Sequence, residues 1–185
     1  MRQEDKLACM LLEPASEIDY PAIIDLINLA FRGAGEAASW NIESGIIAGQ
    51  RMNDSLLREE LSKNPDANLL LHRDPSTGAI IGTVWLDPKA DGVWYLGLLT
   101  VRPALQKQQR GSRLLLAAED FVRDRGARSI RMTVVNLRQA LIAWYQRRGY
   151  ALTGETIPYP YGDNRFGRPL RDDLHFLVLE KQLPG

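Results

Sequence analysis

The sequence predicts an α/β fold with a mixed central sheet of about six to seven strands, an antiparallel meander followed by parallel crossovers, flanked by about four helices. Three β-favouring runs between residues 67 and 101, separated by turn sequences, indicate the meander. A strand, a helix and another strand between residues 93 and 135 indicate a right-handed parallel crossover. Apolar residues at three- and four-residue spacing elsewhere indicate helices that cover the sheet.

Two helices are predicted before the meander. Residues 14–33 carry apolar residues at helical spacing. Residues 33–53 have no sustained period, so we expect an irregular or partly helical arm there. Asn53 or Asp54 can cap a short second helix that runs to about Leu61. The core face of the first helix consists of Ile23, Ile24, Ile27, Ala30 and Phe31.

The meander has three strands. They are the runs ANLLLHR (67–73), AIIGTVWL (79–86) and VWYLGLLTV (93–101). The connecting sequences DPSTG and DPKADG combine Pro, Asp and Gly in the manner of tight reversals. Gly97 in the third run indicates a β-bulge or a close backbone approach.

The second half of the chain predicts the crossovers. A helix that ends at Gly126 is followed by a strand at 128–135. On this helix Glu119 and Arg123 are spaced to pair at i and i+4, away from the apolar face. The remaining predicted elements are a helix at 137–148 and strands near 150–153 and at 174–180.

Composition limits the class of protein. The 185 residues, 45% of them hydrophobic, suit one domain that spans 1–185. Lys+Arg and Asp+Glu both number 23, so no overall basic field attracts nucleic acid. One cysteine, Cys9, excludes an internal disulfide framework, and two unclustered histidines argue against a metal site.

No segment has the roughly 20 apolar residues that are needed to cross a bilayer. The N-terminus also lacks the apolar core of a signal peptide, so we expect a cytoplasmic protein without membrane partners.

The most informative motif joins the third strand to the following helix. From residue 101 it reads VRPALQKQQRGSRLL, which passes through a proline and a basic loop into the helix. A helix N-terminus presents unpaired N–H groups and a partial positive charge, so the junction predicts an anion site. Lys107, Arg110 and Arg113 add positive charge to it.

This junction resembles the signature of the GNAT superfamily of acyl-CoA-dependent N-acyltransferases, of the small-molecule type found in bacteria. In that signature a strand and V-x-P lead to Gln or Arg-x-x-Gly-x-Gly or Ala, which opens a helix. Gln109 stands where the first glycine is usual, and a glycine there lets the backbone approach the pyrophosphate of CoA. The matching residues are Val101, Pro103, Gln106, Gly111 and the pair Leu114–Leu115.

The resemblance implies the GNAT fold, acetyl-CoA as co-substrate and no metal. Backbone groups of the loop would bind the pyrophosphate, and the backbone of Val101 would pair with the pantetheine arm. The implied cofactor-binding residues are Leu99, Val101, Gln106, Lys107, Gln109, Arg110, Gly111, Ser112 and Arg138.

The segment LIAWYQRRGY (141–150) resembles a second family motif, which implies that Tyr145 protonates the departing CoA thiolate. A backbone N–H near Leu99 would polarise the thioester carbonyl. Many relatives carry a glutamate base where this chain has Tyr95, which we expect to line the acceptor site instead. A water chain could also accept the proton. Alternative carboxylates, each expected to be a surface charge, are Glu43, Glu155, Asp163, Asp172 and Asp173.

The acceptor side of the site is less defined by the sequence. Trp40 and Tyr159 fall where family members line the acceptor site, and with Tyr95 they are the implied substrate-binding residues. The loop 156–173 is a specificity lid or a rigid surface loop, and we favour the lid. An aromatic and acidic lining would suit a small cationic or aromatic primary amine. The alternatives are a protein or peptide N-acetyltransferase and a non-catalytic CoA-binding module. A homodimer is compatible with the sequence.

Overall fold

A seven-stranded mixed sheet with helices on both faces forms the centre of the protein, as the sequence predicts. The computed structural model describes residues 10–33, 43 and 45–184. The strands are β1 (Glu13–Pro14), β2 (Ile47–Ala48), β3 (Asn68–Arg73), β4 (Ile80–Pro88), β5 (Val93–Val101), β6 (Ser129–Val135), β7 (Ala151–Pro158), β8 (Arg168–Pro169) and β9 (His175–Gln182). The α-helices are α1 (Tyr20–Arg32), α2 (Asp54–Lys63), α3 (Arg110–Arg123) and α4 (Gln139–Gln146).

The strand order in the sheet is β1-β3-β4-β5-β6-β9-β7. The predicted meander is confirmed, since β3, β4 and β5 pair antiparallel, and so is the crossover, since β5 and β6 pair parallel. β9 lies between β6 and β7 and runs antiparallel to both. The strand predicted near 150–153 continues to Pro158. β2 and β8 form a separate two-stranded pair.

Alternate side chains of the sheet enter two hydrophobic cores. Leu70 packs in the core under α3 and α4, whereas its neighbours Leu69 and Leu71 pack in the core under α1 and α2. The same alternation places Trp94 and Tyr95 on opposite faces. The sheet is therefore covered on both sides, with one helix pair on each face.

Local sequence explains where the first helices begin. Pro21 stands in the first turn of α1, where its missing N–H is not needed. Asn53 caps α2, because its side-chain oxygen accepts a hydrogen bond from the Leu56 N–H at 2.8 Å. Of the helices in the described part of the chain, none is long and apolar enough to cross a membrane.

β5 separates from β6 halfway along its length. The parallel pairing covers only Val93 to Tyr95 against Ser129 to Arg131. On its other edge β5 contains a bulge, since Thr83 pairs with Thr100 and Trp85 with Gly97, which leaves two residues opposite one. The bulge consists of Leu98 and Leu99, directly after Gly97, where the sequence predicts it. Leu98 has a φ of 50°. The second half of β5 therefore leaves β6 and opens a gap in the sheet.

Glu119 does not pair with Arg123, so the predicted i, i+4 pair is wrong. Its side chain points into the protein, accepts hydrogen bonds from the Tyr150 hydroxyl at 3.0 Å and the Lys181 ammonium at 2.7 Å, and is 2% exposed. Arg123 pairs instead with Asp120. The buried carboxylate joins α3 to β9 and to the end of the α4 segment.

Replacing Glu119 by alanine should lower the free energy of unfolding by about 3 kcal/mol, because the Tyr150 hydroxyl and the Lys181 ammonium lose their partner. Urea denaturation measures this change. Asp120→Ala on the same helix is the matched control, since its exposed pair with Arg123 is worth at most about 0.5 kcal/mol. Equal losses in the two variants would contradict the stabilising role of Glu119.

Candidate active site

Two cavities meet at the gap between β5 and β6. The larger has a volume of about 330 Å³ and is lined by both strands, α1 and the loop after β7. The smaller has a volume of about 260 Å³ and lies at the start of α3. Leu99, Leu141 and Tyr145 line both cavities. The two cavities therefore adjoin each other at these residues.

The smaller cavity collects most of the residues that the junction motif implied. Arg110 is not among its described lining residues; it lies near Asp74, whose pKa is lowered mainly by Ser76 and also by Arg110. The side chain of Lys107 lies outside the described residues. The implied cofactor-binding residues in the lining are Leu99, Val101, Gln106, Gln109, Gly111 and Ser112, and Tyr145 of the second motif joins them.

The loop before α3 has a left-handed residue at the position of the motif's first glycine. Gln109 lies in the left-handed region with φ 56° and ψ 13°, at a cost of roughly 1–2 kcal/mol for a residue with a Cβ. The Gln106 side-chain amide donates to the Val101 carbonyl at 3.1 Å and holds the loop against the end of β5. The loop therefore keeps its turn although the glycine is absent.

Arg148 is a cation beside this loop that the sequence reasoning missed. Its guanidinium donates to the Ser112 hydroxyl at 2.6 and 3.1 Å and lies 3.7 Å from the ring centre of Trp144. The two arginines in YQRRGY were a signal that could have drawn attention to it. Arg148 adds positive charge near the N-terminus of α3, where the helix dipole already favours an anion.

Tyr145 stands at the boundary of the two cavities. It is buried on α4, and its ring packs edge-on against Trp144 and Tyr150 at 4.9 and 5.6 Å between ring centres. Burial raises the pKa of the Tyr145 phenol above its usual range, and the nearby Arg138 charge opposes this only in part. The phenol is therefore protonated at neutral pH and can donate its proton.

Glu43 is buried in the larger cavity, so its expectation as a surface charge is wrong. Its carboxylate accepts hydrogen bonds from the guanidinium groups of Arg32 and Arg138. Burial raises the pKa of Glu43, but the charges of Arg138, Arg32 and Arg51 together outweigh burial and leave the pKa below its usual value. Glu43 is therefore a carboxylate at neutral pH.

The other alternative carboxylates are exposed at the surface, except Asp163, which is half-buried. Glu155 pairs with Arg131, Asp163 with Arg165 and Asp173 with Arg171. Asp172 is also exposed.

Arg138 lies at the larger cavity rather than at the loop before α3. Its side chain forms an ion pair with Glu43 and lines the larger cavity. The residue does not line the smaller cavity among the described positions. The resemblance implied that Arg138 binds the cofactor, but its charge lies at the larger cavity instead.

Arg51 is a further cation of the larger cavity that sequence reasoning missed. Its guanidinium lies between the rings of Phe31 and Phe166, 5.7 and 5.1 Å from their centres. Its Nη1 atom is buried and has no hydrogen-bond partner among the residues the structure describes. Residues 33–53 carry no hydrophobic period that would have located this side chain.

The structure brings together Tyr95 and Tyr159, the two described residues that were expected to bind the acceptor. The Tyr95 hydroxyl lies 3.1 Å from the Thr133 hydroxyl, and the Tyr159 ring stacks on Phe176 at 5.5 Å. Both tyrosines line the larger cavity. Trp40 lies outside the described residues.

The loop after β7 is fixed against the segment that follows α1. β8 in this loop pairs with β2, and the Arg32 guanidinium donates to the Phe166 carbonyl at 3.0 Å. Gly167 approaches Ala48 so closely that a Cβ would lie 2.7 Å from the Ala48 carbonyl oxygen. This loop forms part of the wall of the larger cavity through Tyr159, Pro160 and Phe166.

The described residues do not give the larger cavity the expected acidic lining, because cations outnumber anions among them. The charged side chains of the described part of the lining are three cations and two anions, namely Arg32, Arg51, Arg138, Glu43 and Glu60. The described part of the chain contains no group of three or more His, Cys, Asp or Glu side chains that could hold a metal ion.

Comparison with known protein families identifies relatives of this chain. The model of the acetyltransferase (GNAT) family matches residues 25–150. No curated protein sequence matches the chain significantly.

Solved structures of low sequence identity share the fold. A GNAT family acetyltransferase from Elizabethkingia anophelis with acetyl-CoA bound is 17% identical, with a TM-score of 0.63, over 95% of this chain and 99% of that one. The PaiA N-acetyltransferase from Thermoplasma acidophilum in complex with coenzyme A is 19% identical, with a TM-score of 0.64, over 94% and 98%. The ribosomal-protein-alanine N-acetyltransferase from Brucella melitensis is 18% identical, with a TM-score of 0.66, over 94% and 99%. The family match covers well over half of the chain, and the protein therefore belongs to the GNAT acetyltransferase family.

Proposed function

We propose that the protein transfers the acetyl group of acetyl-CoA to the primary amine of a small molecule by direct attack. The observation that carries the proposal is the meeting of two cavities at Leu99 and Tyr145. Each substrate would occupy its own cavity, and their reacting ends would meet at the gap in the sheet. No residue at this meeting point needs to form a covalent intermediate.

The smaller cavity suits the acetyl donor. The first N–H groups of α3 have no partner within the helix, and Arg148 beside Ser112 adds positive charge there. Gly111 lines this cavity of about 260 Å³, the space in which a pyrophosphate would lie, and a Cβ there would meet Trp144 in ordinary contact at 3.5 Å. Residues 96–101 of β5, which do not pair with β6, supply backbone groups for the pantetheine arm.

The proposed reaction needs one proton removed and one supplied. The amine nitrogen bonds to the thioester carbonyl carbon, the carbon–sulfur bond breaks, the amine loses a proton and the sulfur gains one. The Leu99 N–H would polarise the carbonyl oxygen as negative charge develops on it. The Tyr145 phenol would donate its proton to sulfur.

The amine's proton has no dedicated carboxylate acceptor in this proposal. Glu43 is a weak base because three arginines stabilise its ionised form. Among the described lining residues positive charge is in excess, which favours a neutral amine over an ammonium ion, since like charges repel. The acceptor would therefore lose its proton to water on binding, before it attacks.

The size of the larger cavity and its fixed wall support a small acceptor rather than a peptide. The cavity has a volume of about 330 Å³, and the β2–β8 pair and the Arg32 bond to Phe166 hold the loop after β7 along its side. We further propose that residues 1–185 form one acetyltransferase domain that works in the cytoplasm.

Gly111→Asp should raise the Kd of acetyl-CoA about tenfold or more, because it places a carboxylate where the pyrophosphate would bind. Isothermal calorimetry of the purified protein measures the Kd. Gly111→Asn is the matched control of equal size without the charge, and its Kd should rise much less. Equal Kd values for Gly111→Asp and the unmodified protein would refute the assignment of the loop.

Tyr145→Phe should lower kcat about 100-fold and change the Kd of acetyl-CoA less than twofold, because it removes the proton donor and keeps the ring. Thiol release measures kcat. Tyr150→Phe is the control, because this neighbouring tyrosine lines neither cavity among the described residues, so the variant should keep the kcat of the unmodified protein. Unchanged turnover in Tyr145→Phe would remove this residue from the mechanism.

The pH profile gives a second prediction for Tyr145. Burial raises the pKa of its phenol, so kcat should show no decrease from ionisation of Tyr145 at any pH below about 10.

A further inference from the structure

The cations of the larger cavity are not equally engaged. Arg32 and Arg138 both donate to the Glu43 carboxylate, so three of the charges form one hydrogen-bonded group. Glu60, the second carboxylate of the lining, interacts with Arg165 at the surface. Arg51 remains as the cation whose charge is not matched by a carboxylate hydrogen bond among the described residues.

The surroundings of Arg51 hold its guanidinium in one place. The rings of Phe31 and Phe166 lie on it, and Nη1 is shielded from solvent without a hydrogen-bond acceptor in the described part of the chain. A buried donor on a charged group costs free energy unless an acceptor binds it. Because Arg51 lines the larger cavity, an anion bound there would compensate its charge, and a carboxylate matches the planar fork of an arginine.

We propose that Arg51 binds a carboxylate of the acceptor, so that the acceptor is a small amine that also carries a carboxylate, such as an amino acid. This inference rests on the proposed function of the site. The aromatic residues of the cavity, including Trp85, Tyr95 and Tyr159, would contact the carbon skeleton. Arg51 lines only the larger cavity, so the carboxylate would lie away from the thioester and the amine would lie towards Tyr145.

The proposal separates small acids from peptide acceptors. The first residue of a peptide has a neutral amide where a free amino acid has a carboxylate, and the amide offers no charge to Arg51. A carboxamide of the amino acid therefore imitates the peptide at this position. Its amine also loses a proton more readily than that of the free acid, so intrinsic reactivity favours the carboxamide. If the enzyme nevertheless acetylates the free acid more efficiently than the carboxamide, the difference must come from binding of the carboxylate.

The test compares matched acceptors with the full chain. Acetylation is followed by thiol release for L-alanine and L-phenylalanine, for their carboxamides, and for ethylamine and 2-phenylethylamine. We expect kcat/KM for at least one acid to exceed that of its carboxamide and its amine by about tenfold or more. Equal or higher values for the carboxamides overturn the proposal and favour a peptide acceptor.

A second measurement decides the question if none of these acceptors turns over. N-acetyl-L-alanine and N-acetyl-L-phenylalanine, as product analogues, are compared with their carboxamides for their effect on Tm in the presence of CoA. A larger increase of Tm with the acids supports the proposal, because ligands of the folded state stabilise it. Equal increases, or none with either, overturn it.

Variants of Arg51 assign the preference to this residue. Arg51→Gln should remove the preference for acids through a KM at least tenfold higher, whereas Arg51→Lys should keep part of it because the charge remains. The Kd of acetyl-CoA should stay the same in both, since Arg51 does not line the smaller cavity among its described residues. An unchanged preference in Arg51→Gln overturns the role of Arg51.

The two proposals fail in different ways. If acetyl-CoA does not bind to the unmodified protein, the proposed function is wrong, whatever the anion selectivity. If acetyl-CoA binds and amines are acetylated without preference for acids, only the carboxylate assignment is wrong.

Discussion

The separation of β5 from β6 after Tyr95 is the constraint on which both cavities depend. Up to Tyr95 the two strands pair in parallel, and beyond it β5 remains paired with β4 while β6 remains paired with β9. The bulge at Leu98 and Leu99 allows β5 to change direction without leaving β4. The freed edge carries backbone groups that require new partners, so the gap is suited to hydrogen bonding with a ligand.

Buried charge fixes the walls around this gap. Glu43 joins Arg32 at the end of α1 to Arg138 at the start of α4, so one carboxylate connects elements from the two faces of the sheet. Loss of a single partner in such a group is costly, because the remaining charges stay buried. The same contacts that hold the walls in place thus give the cavity its positive charge and make Glu43 a weak base.

Periodic features were readable from the sequence, and contacts between distant segments were not. The run VWYLGLLTV predicts β5 with its observed bounds, because strand and turn signals are local. The pairing of β9 between β6 and β7 depends on which edges meet in space. Glu119 had an acceptable local partner in Arg123, but burial against Tyr150 and Lys181 decided its pairing. Glu43 and Arg51 lie in a segment without a period, so no local pattern indicated their burial.

The formal net charge of zero gives no indication of the positive charge that surrounds the larger cavity. Opposite charges balance over 185 residues, yet the fold gathers Arg32, Arg51 and Arg138 around one cavity. Attraction between charges depends on distance and burial rather than on composition, and it is strongest where water is excluded. The balanced total still argues against a polyanion as partner, because that interaction needs an extended field. A small anion needs only one buried cation held in position, and Phe31 and Phe166 hold Arg51 in that way.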